Sequence, residues 1–118
     1  MTRLALHLLG TFHATIDDKP VTDFATDKAR ALLAYLAVER LHPHRRERLA
    51  ALLWPDQPEE RARQSLRQTL SHLRQVLDGD AFLQITPQDV QLHPAAEIWT
   101  DVAAFLEIDR LCQKHRHR

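Results

Sequence analysis

The chain has 118 residues, 44% of them apolar, enough for one packed domain and too few for two ordinary ones. Sixteen Lys and Arg balance sixteen Asp and Glu. That balance excludes a chain that coats nucleic acid by uniform positive charge and an acidic chain that stays unfolded, while leaving room for a local basic face.

Leu4, Leu6 and Leu8 alternate with Arg3, Ala5 and His7. Gly10 breaks the run, and Phe12, Ala14 and Ile16 then alternate with Thr11, His13 and Thr15. Period-two alternation predicts two strands. Asp17-Asp18-Lys19-Pro20 predicts a turn, with a short third strand near Val21. The expectation is a small antiparallel N-terminal sheet. Thr26 then caps a first helix, with Asp27 in its first turn and Ala29, Leu32, Leu33, Leu36 and Ala37 at helical spacing. His42-Pro43-His44 ends it, because a residue before proline avoids the helical region.

A second helix is predicted at about 45–54, with Leu49, Leu52 and Leu53 inward and Trp54 packed at its end. Arg45, Arg46 and Arg48 crowd its first turns, against the helix dipole, which makes phosphate a candidate neighbour. The third helix is predicted at about 58–77. Glu59 and Glu60 suit its start, and Gly79 suits the position just past its end. Ala62, Leu66, Thr69, Leu70, Leu73 and Leu77 form one apolar stripe. Between Arg61 and Arg74 the chain carries four arginines and no acid. Residues 82–86 and 89–92 flank Pro87-Gln88 as a β-hairpin. Thr100-Asp101 opens a last helix, with Val102, Phe105, Leu106 or Ile108, and Cys112 on one side, and a polar end at 114–118.

Strands, three helices and then a hairpin is the order of an α+β winged helix-turn-helix domain. A helix fits the major groove, where Arg pairs with guanine and Gln with adenine. With Leu66 set at zero, Arg63, Arg67 and Arg74 fall at roughly 60–100° around the helix, and Gln64 and Ser71 at roughly 140–160°. Gln68 falls near the pole opposite the core. The expected groove readers are Gln64, Arg67, Gln68 and Ser71. Arg63 and Arg74 suit phosphates, as do Arg45 and Arg46.

Other chemistries find little support. Two glycines, Gly10 and Gly79, do not make a phosphate-cradling loop. One cysteine, Cys112, gives neither an internal disulfide nor a Cys-based zinc cluster, and packing is its expected role. His42-x-His44 and His115-x-His117 have no companion ligands in sequence, so no metal and no cofactor are expected. Ser65 and Ser71 lack a base and an acid in their context, and the expectation is a non-enzyme. No run approaches the ~18 apolar residues of a membrane span, and the expected location is the cytoplasm.

Several blocks together resemble one family. Leu8-Leu-Gly-Thr-Phe12, Asp27-Lys-Ala-Arg-Ala-Leu-Leu-Ala-Tyr-Leu-Ala37, Arg46-Glu-Arg-Leu-Ala50, Leu53-Trp-Pro-Asp56, Ala62-Arg-Gln-Ser-Leu-Arg67 with Leu73-Arg74, and Asp101-Val-Ala-Ala-Phe105 carry the resemblance. The chain resembles, over about 3–105, the OmpR/PhoB-type winged-helix domain of SARP-type bacterial transcriptional activators. The resemblance implies binding to double-stranded promoter DNA, often at direct repeats that a homodimer could occupy, with recruitment of RNA polymerase. It implies that the hairpin is the wing, with Thr86, Gln88 and Gln91 as its polar contacts, and that the 54–58 loop meets polymerase. Any link to a phosphorelay is by fold only. The expected domains are 1–98, the winged helix, and 99–118, the start of a truncated or absent helical activation domain. The rival expectation is a protein-interaction module that uses the same surface without DNA.

Overall fold

The computed structural model describes residues 2–116. His117 and Arg118, and with them the His115-x-His117 pair, lie outside the described residues. The chain opens with β1 (Arg3–His7), β2 (His13–Ile16) and β3 (Lys19–Pro20), joined antiparallel in sequence. Asp17 and Asp18 have φ of 50° and 70°, the paired left-handed residues of a two-residue hairpin turn. Leu4, Leu6 and Ala14 are buried on one face of this sheet, as alternation demands. The third strand sits at Lys19–Pro20 rather than at Val21, whose N–H still donates to Ala14 at 2.9 Å.

Helix α1 (Asp27–Val38) begins where Thr26 accepts the Ala29 N–H at 3.1 Å. It stops at Val38, before His42-Pro43 is reached. Next come β4 (His44–Arg45) and α2 (Arg46–Leu53). Leu49, Ala50 and Leu53 are buried, but Leu52 is 53% exposed, against expectation. The buried arc of α2 is centred among those three residues, which leaves Leu52 about 110° off it.

Helix α3 (Glu59–Val76) buries Ala62, Leu66, Leu70 and Leu73 against the other two helices. Thr69 is only half-buried, and its hydroxyl donates to the Ser65 carbonyl at 2.9 Å. Two left-handed residues follow the Leu77 cap, Asp78 (φ 67°) and then Gly79 (φ 75°), the glycine the sequence set just past the helix end. Aspartate, with its short polar side chain, visits that conformation more readily than most residues.

The chain continues through β5 (Leu83–Ile85) and β6 (Asp89–Leu92), and β4 pairs onto β6 to give the order β4-β6-β5. It then returns to the first sheet as β7 (Glu97–Thr100), which lies parallel to β1 and makes the order β3-β2-β1-β7. The N-terminal sheet is therefore not wholly antiparallel. The boundary expected between 98 and 99 falls inside β7. Helix α4 (Asp101–Arg116) follows directly, with Thr100 accepting the Ala103 N–H at 3.1 Å. Phe105, Leu106, Ile108 and Leu111 on α4 are each about half exposed or more. Cys112 is exposed as well, so the expected packing role is not the one it has. The helix extends past the packed body, whose longest dimension with it is 54 Å. Among the described residues no helix is long and apolar enough to cross a membrane.

Candidate nucleic-acid interface

Helix α3 presents two chemically distinct sides. Its buried stripe docks on α1 and α2, and that docking turns Arg61, Arg63, Gln64, Arg67, Gln68, Ser71 and Arg74 to the surface, where all seven are exposed. The hydrophobic stripe thus sets the aim of the polar face. Residues 40–79 carry eight arginines against five acids, so the excess charge is local although the whole chain is neutral.

The arginines are not equivalent. Arg63 pairs with Glu59 at 3.1 Å, one helical turn back. Arg74 pairs with Asp80 at 2.9 Å. Both pairs are exposed and weak, and a phosphate can exchange with the carboxylate. Arg67 is exposed and makes no ion pair among the described residues.

Arg46, Glu47, Arg63, Leu66, Arg67 and Pro87 line one cleft of about 370 Å³. It gathers the start of α2, the first half of α3 and the turn of the β5–β6 hairpin. Three of the sequence candidates, Arg46, Arg63 and Arg67, therefore share a single concavity with the hairpin tip. Arg46 is only half exposed, and its guanidinium donates to the Thr86 carbonyl at 3.1 Å. Its backbone N–H donates to the Gln88 carbonyl at 3.0 Å. Arg45 lies 4.0 Å from Asp89.

The hairpin candidates divide by what they already bond. The Thr86 hydroxyl accepts the N–H groups of Gln88 at 3.3 Å and Asp89 at 2.9 Å, so it braces the turn. Gln88 is exposed at the tip. Gln91 is half-buried, and its amide donates to the Arg40 carbonyl at 3.1 Å. From Leu83 to Leu92 the hairpin contains no Lys or Arg, and Asp89 is its one charged residue.

Sequence reasoning did not find β4. Two residues carry no periodicity, yet His44 and Arg45 pair with Val90 and Asp89 and clamp the hairpin to α2. Nor did it single out a groove of about 510 Å³ beside the α2–α3 loop, where Ala50, Trp54, Pro55 and Ala62 form an apolar floor rimmed by Glu47, Gln57, Glu59 and Arg63. Trp54 is half-buried there, with the Lys28 ammonium 6.0 Å from its ring centre. His72 of α3 is half-buried and accepts the Ala25 N–H at 2.9 Å. Among the described residues no group of three or more His, Cys, Asp or Glu gathers at one point.

Asp101 fixes the junction behind this assembly. Its carboxylate accepts the N–H of Leu8 at 2.8 Å and of Leu9 at 3.1 Å. Burial pushes this carboxyl up. The bonds from Leu8, Leu9 and Val102, with the charge of His7, together outweigh that, so it titrates below its ordinary value.

No protein-family model matches the chain. It is 40% identical over 77 residues to the transcriptional regulatory protein EmbR of Mycobacterium bovis and of Mycobacterium tuberculosis, a match covering 65% of this chain and 20% of EmbR. The solved structure of Mycobacterium tuberculosis EmbR in complex with a low-affinity phosphopeptide superposes with a TM-score of 0.65 at 35% identity, over 78% of this chain and 25% of that one. The chain thus spans about a fifth of the length of the curated relatives it matches. The α+β winged-helix architecture and this homology agree with the resemblance carried by the sequence blocks: the chain is homologous to part of EmbR, which supports a winged-helix domain of SARP type.

Proposed function

We propose that this domain is the DNA-reading part of a bacterial transcriptional regulator of activator type, working in the cytoplasm on double-stranded promoter DNA and without catalysis. The observation that carries the reading is the cleft shared by Arg46, Arg63, Arg67 and Pro87, set beside the face of α3 that is free of acids from Arg61 to Arg74. In this reading α3 enters the major groove. Gln64, Arg67, Gln68 and Ser71 meet base edges, because Arg and Gln offer the bidentate donors that guanine and adenine accept. Arg45, Arg63 and Arg74 meet phosphates. The hairpin lies on the adjacent backbone or minor groove with Gln88 foremost.

The apolar groove beside Trp54 and Pro55, with its mixed polar rim, is the surface we assign to RNA polymerase. Two copies on direct repeats would supply the affinity that a module of local charge alone lacks.

The test is selection of random duplex DNA by the purified chain at moderate salt, read by sequencing. An enriched motif is the expected result, and a repeated motif would support pairing of two copies. With ~6 phosphates neutralised, affinity should fall about 10³-fold between 50 and 200 mM salt. A folded chain that enriches nothing would overturn the reading in favour of a protein-binding surface.

A further inference from the structure

The outer face of the four-stranded sheet brings together two histidines that sequence spacing keeps apart. Strands β1 and β2 run antiparallel with His7 directly opposite His13. Their ring centroids are 5.5 Å apart, with the planes inclined at 46°. The flanking Leu6 and Ala14 are buried, so strand alternation sets both imidazoles on the opposite, outward face. His13 is exposed and His7 is half-buried. Trp99 of β7 covers His7, with ring centroids 5.0 Å apart. The end of β1 is fixed beside this pair, because Leu8 and Leu9 donate to Asp101.

We propose that His7 and His13 form a two-imidazole chelating site for a borderline divalent cation of the Ni²⁺, Cu²⁺ and Zn²⁺ group. A metal at about 2.0–2.1 Å from one nitrogen of each ring sets the ring centres about 5 Å apart, close to the separation already present. Small side-chain rotations close the remaining gap, and the exposed ring of His13 is free to make them. Imidazole nitrogen selects this class of ion over Mg²⁺ and Ca²⁺, which need oxygen ligands. No third ligand gathers here among the described residues, so water completes the coordination shell. With two protein ligands the affinity follows the general order of these ions, and Cu²⁺ binds tightest. The bound ion links β1 to β2 and so stabilises the folded chain by mass action. The pair His42 and His44 is not arranged this way. His42 stands exposed in a turn, and the Nε2 of His44 is bonded to the Glu39 carbonyl at 2.8 Å.

Two titrations of the folded chain test the site. In the first, ZnCl₂ is added while the histidine ring resonances are followed by NMR. The rings of His7 and His13 should shift first and together. In the second, CuCl₂ is added to a Trp54→Phe background, which leaves Trp99 as the emitting tryptophan. Cu²⁺ should quench Trp99 through its contact with His7. His13→Asn should weaken both responses by at least the about tenfold that even an outer-shell partner is worth. His7→Gln, checked for fold by circular dichroism, should do the same. A Cu²⁺ quenching midpoint unchanged in His13→Asn overturns the proposal. So does a ZnCl₂ titration in which other histidine rings shift before His7 and His13.

Discussion

The guanidinium of Arg46 donates to the backbone carbonyl of Thr86, 40 residues along the chain, at 3.1 Å. This bond, with the Arg46 N–H on Gln88 and the two-residue strand β4, ties the first turn of α2 to the tip of the hairpin. Arg46 therefore positions the hairpin as well as lining the cleft. Arg46→Lys keeps the charge and loses the planar fork. We expect the amides of Gln88 and Asp89 to exchange faster in that variant by NMR, and stability to fall by about 1 kcal/mol. The slope of DNA affinity against salt should stay unchanged, since no positive charge is lost. Unchanged amide exchange in the lysine variant would contradict the positioning role of the guanidinium.

Arg67 is the exposed arginine of the cleft that no carboxylate engages among the described residues. Arg67→Ala should cost about 1–3 kcal/mol of DNA binding and relax the preference at one base position. Quantitative binding to a set of singly substituted operators checks this. Equal weakening on every sequence would assign Arg67 to a phosphate instead.

The Asp101 carboxyl titrates below its ordinary value of 3.8 in the folded chain. A depressed carboxyl contributes stability that is present above its unfolded value and lost as the pH falls through its folded value. Asp101→Asn should therefore melt at a lower temperature than the parent at neutral pH. The gap should narrow as the pH falls through the lowered folded-state value and close below it, where the parent carboxyl is protonated in both states. Thermal melts across pH 2–7 give the comparison, and a gap that stayed constant with pH would contradict the assignment.

Leu66 is 1% exposed at the centre of the α3 stripe, on the helix face opposite Gln68. Leu66→Ala should destabilise the fold by about 2–5 kcal/mol, through lost burial and the cavity left behind. Chemical denaturation measures this. Any loss of DNA binding should track the folded fraction, because the substitution leaves the outer face intact.

What the sequence shows of this fold depends on how local each signal is. Helix α1 is legible because Thr26, Asp27 and five apolar residues state its cap, its polarity and its buried face within a dozen positions. The basic face of α3 is legible for the same reason. Strand β7 is not, since Glu97–Thr100 is four residues long and its partner β1 lies more than 90 residues earlier. Strand β4 is shorter still. The exposure of Leu52 and of the apolar residues of α4 escapes detection because periodicity marks a face as apolar without saying what covers it. In the site, spacing identifies which arginines point outward. It does not show that Arg46 and Gln91 are bonded to carbonyls, or that His72 accepts the Ala25 N–H.

Strand β7 passes into α4 without a single connecting residue, and Asp101 pins that passage to Leu8 and Leu9. A linker would act as a universal joint here, and its absence makes the helix a lever. Sixteen residues at about 1.5 Å each give the lever an arm of about 24 Å. A load applied along that arm is passed as torque into β7 and β1, the two strands that α4 contacts.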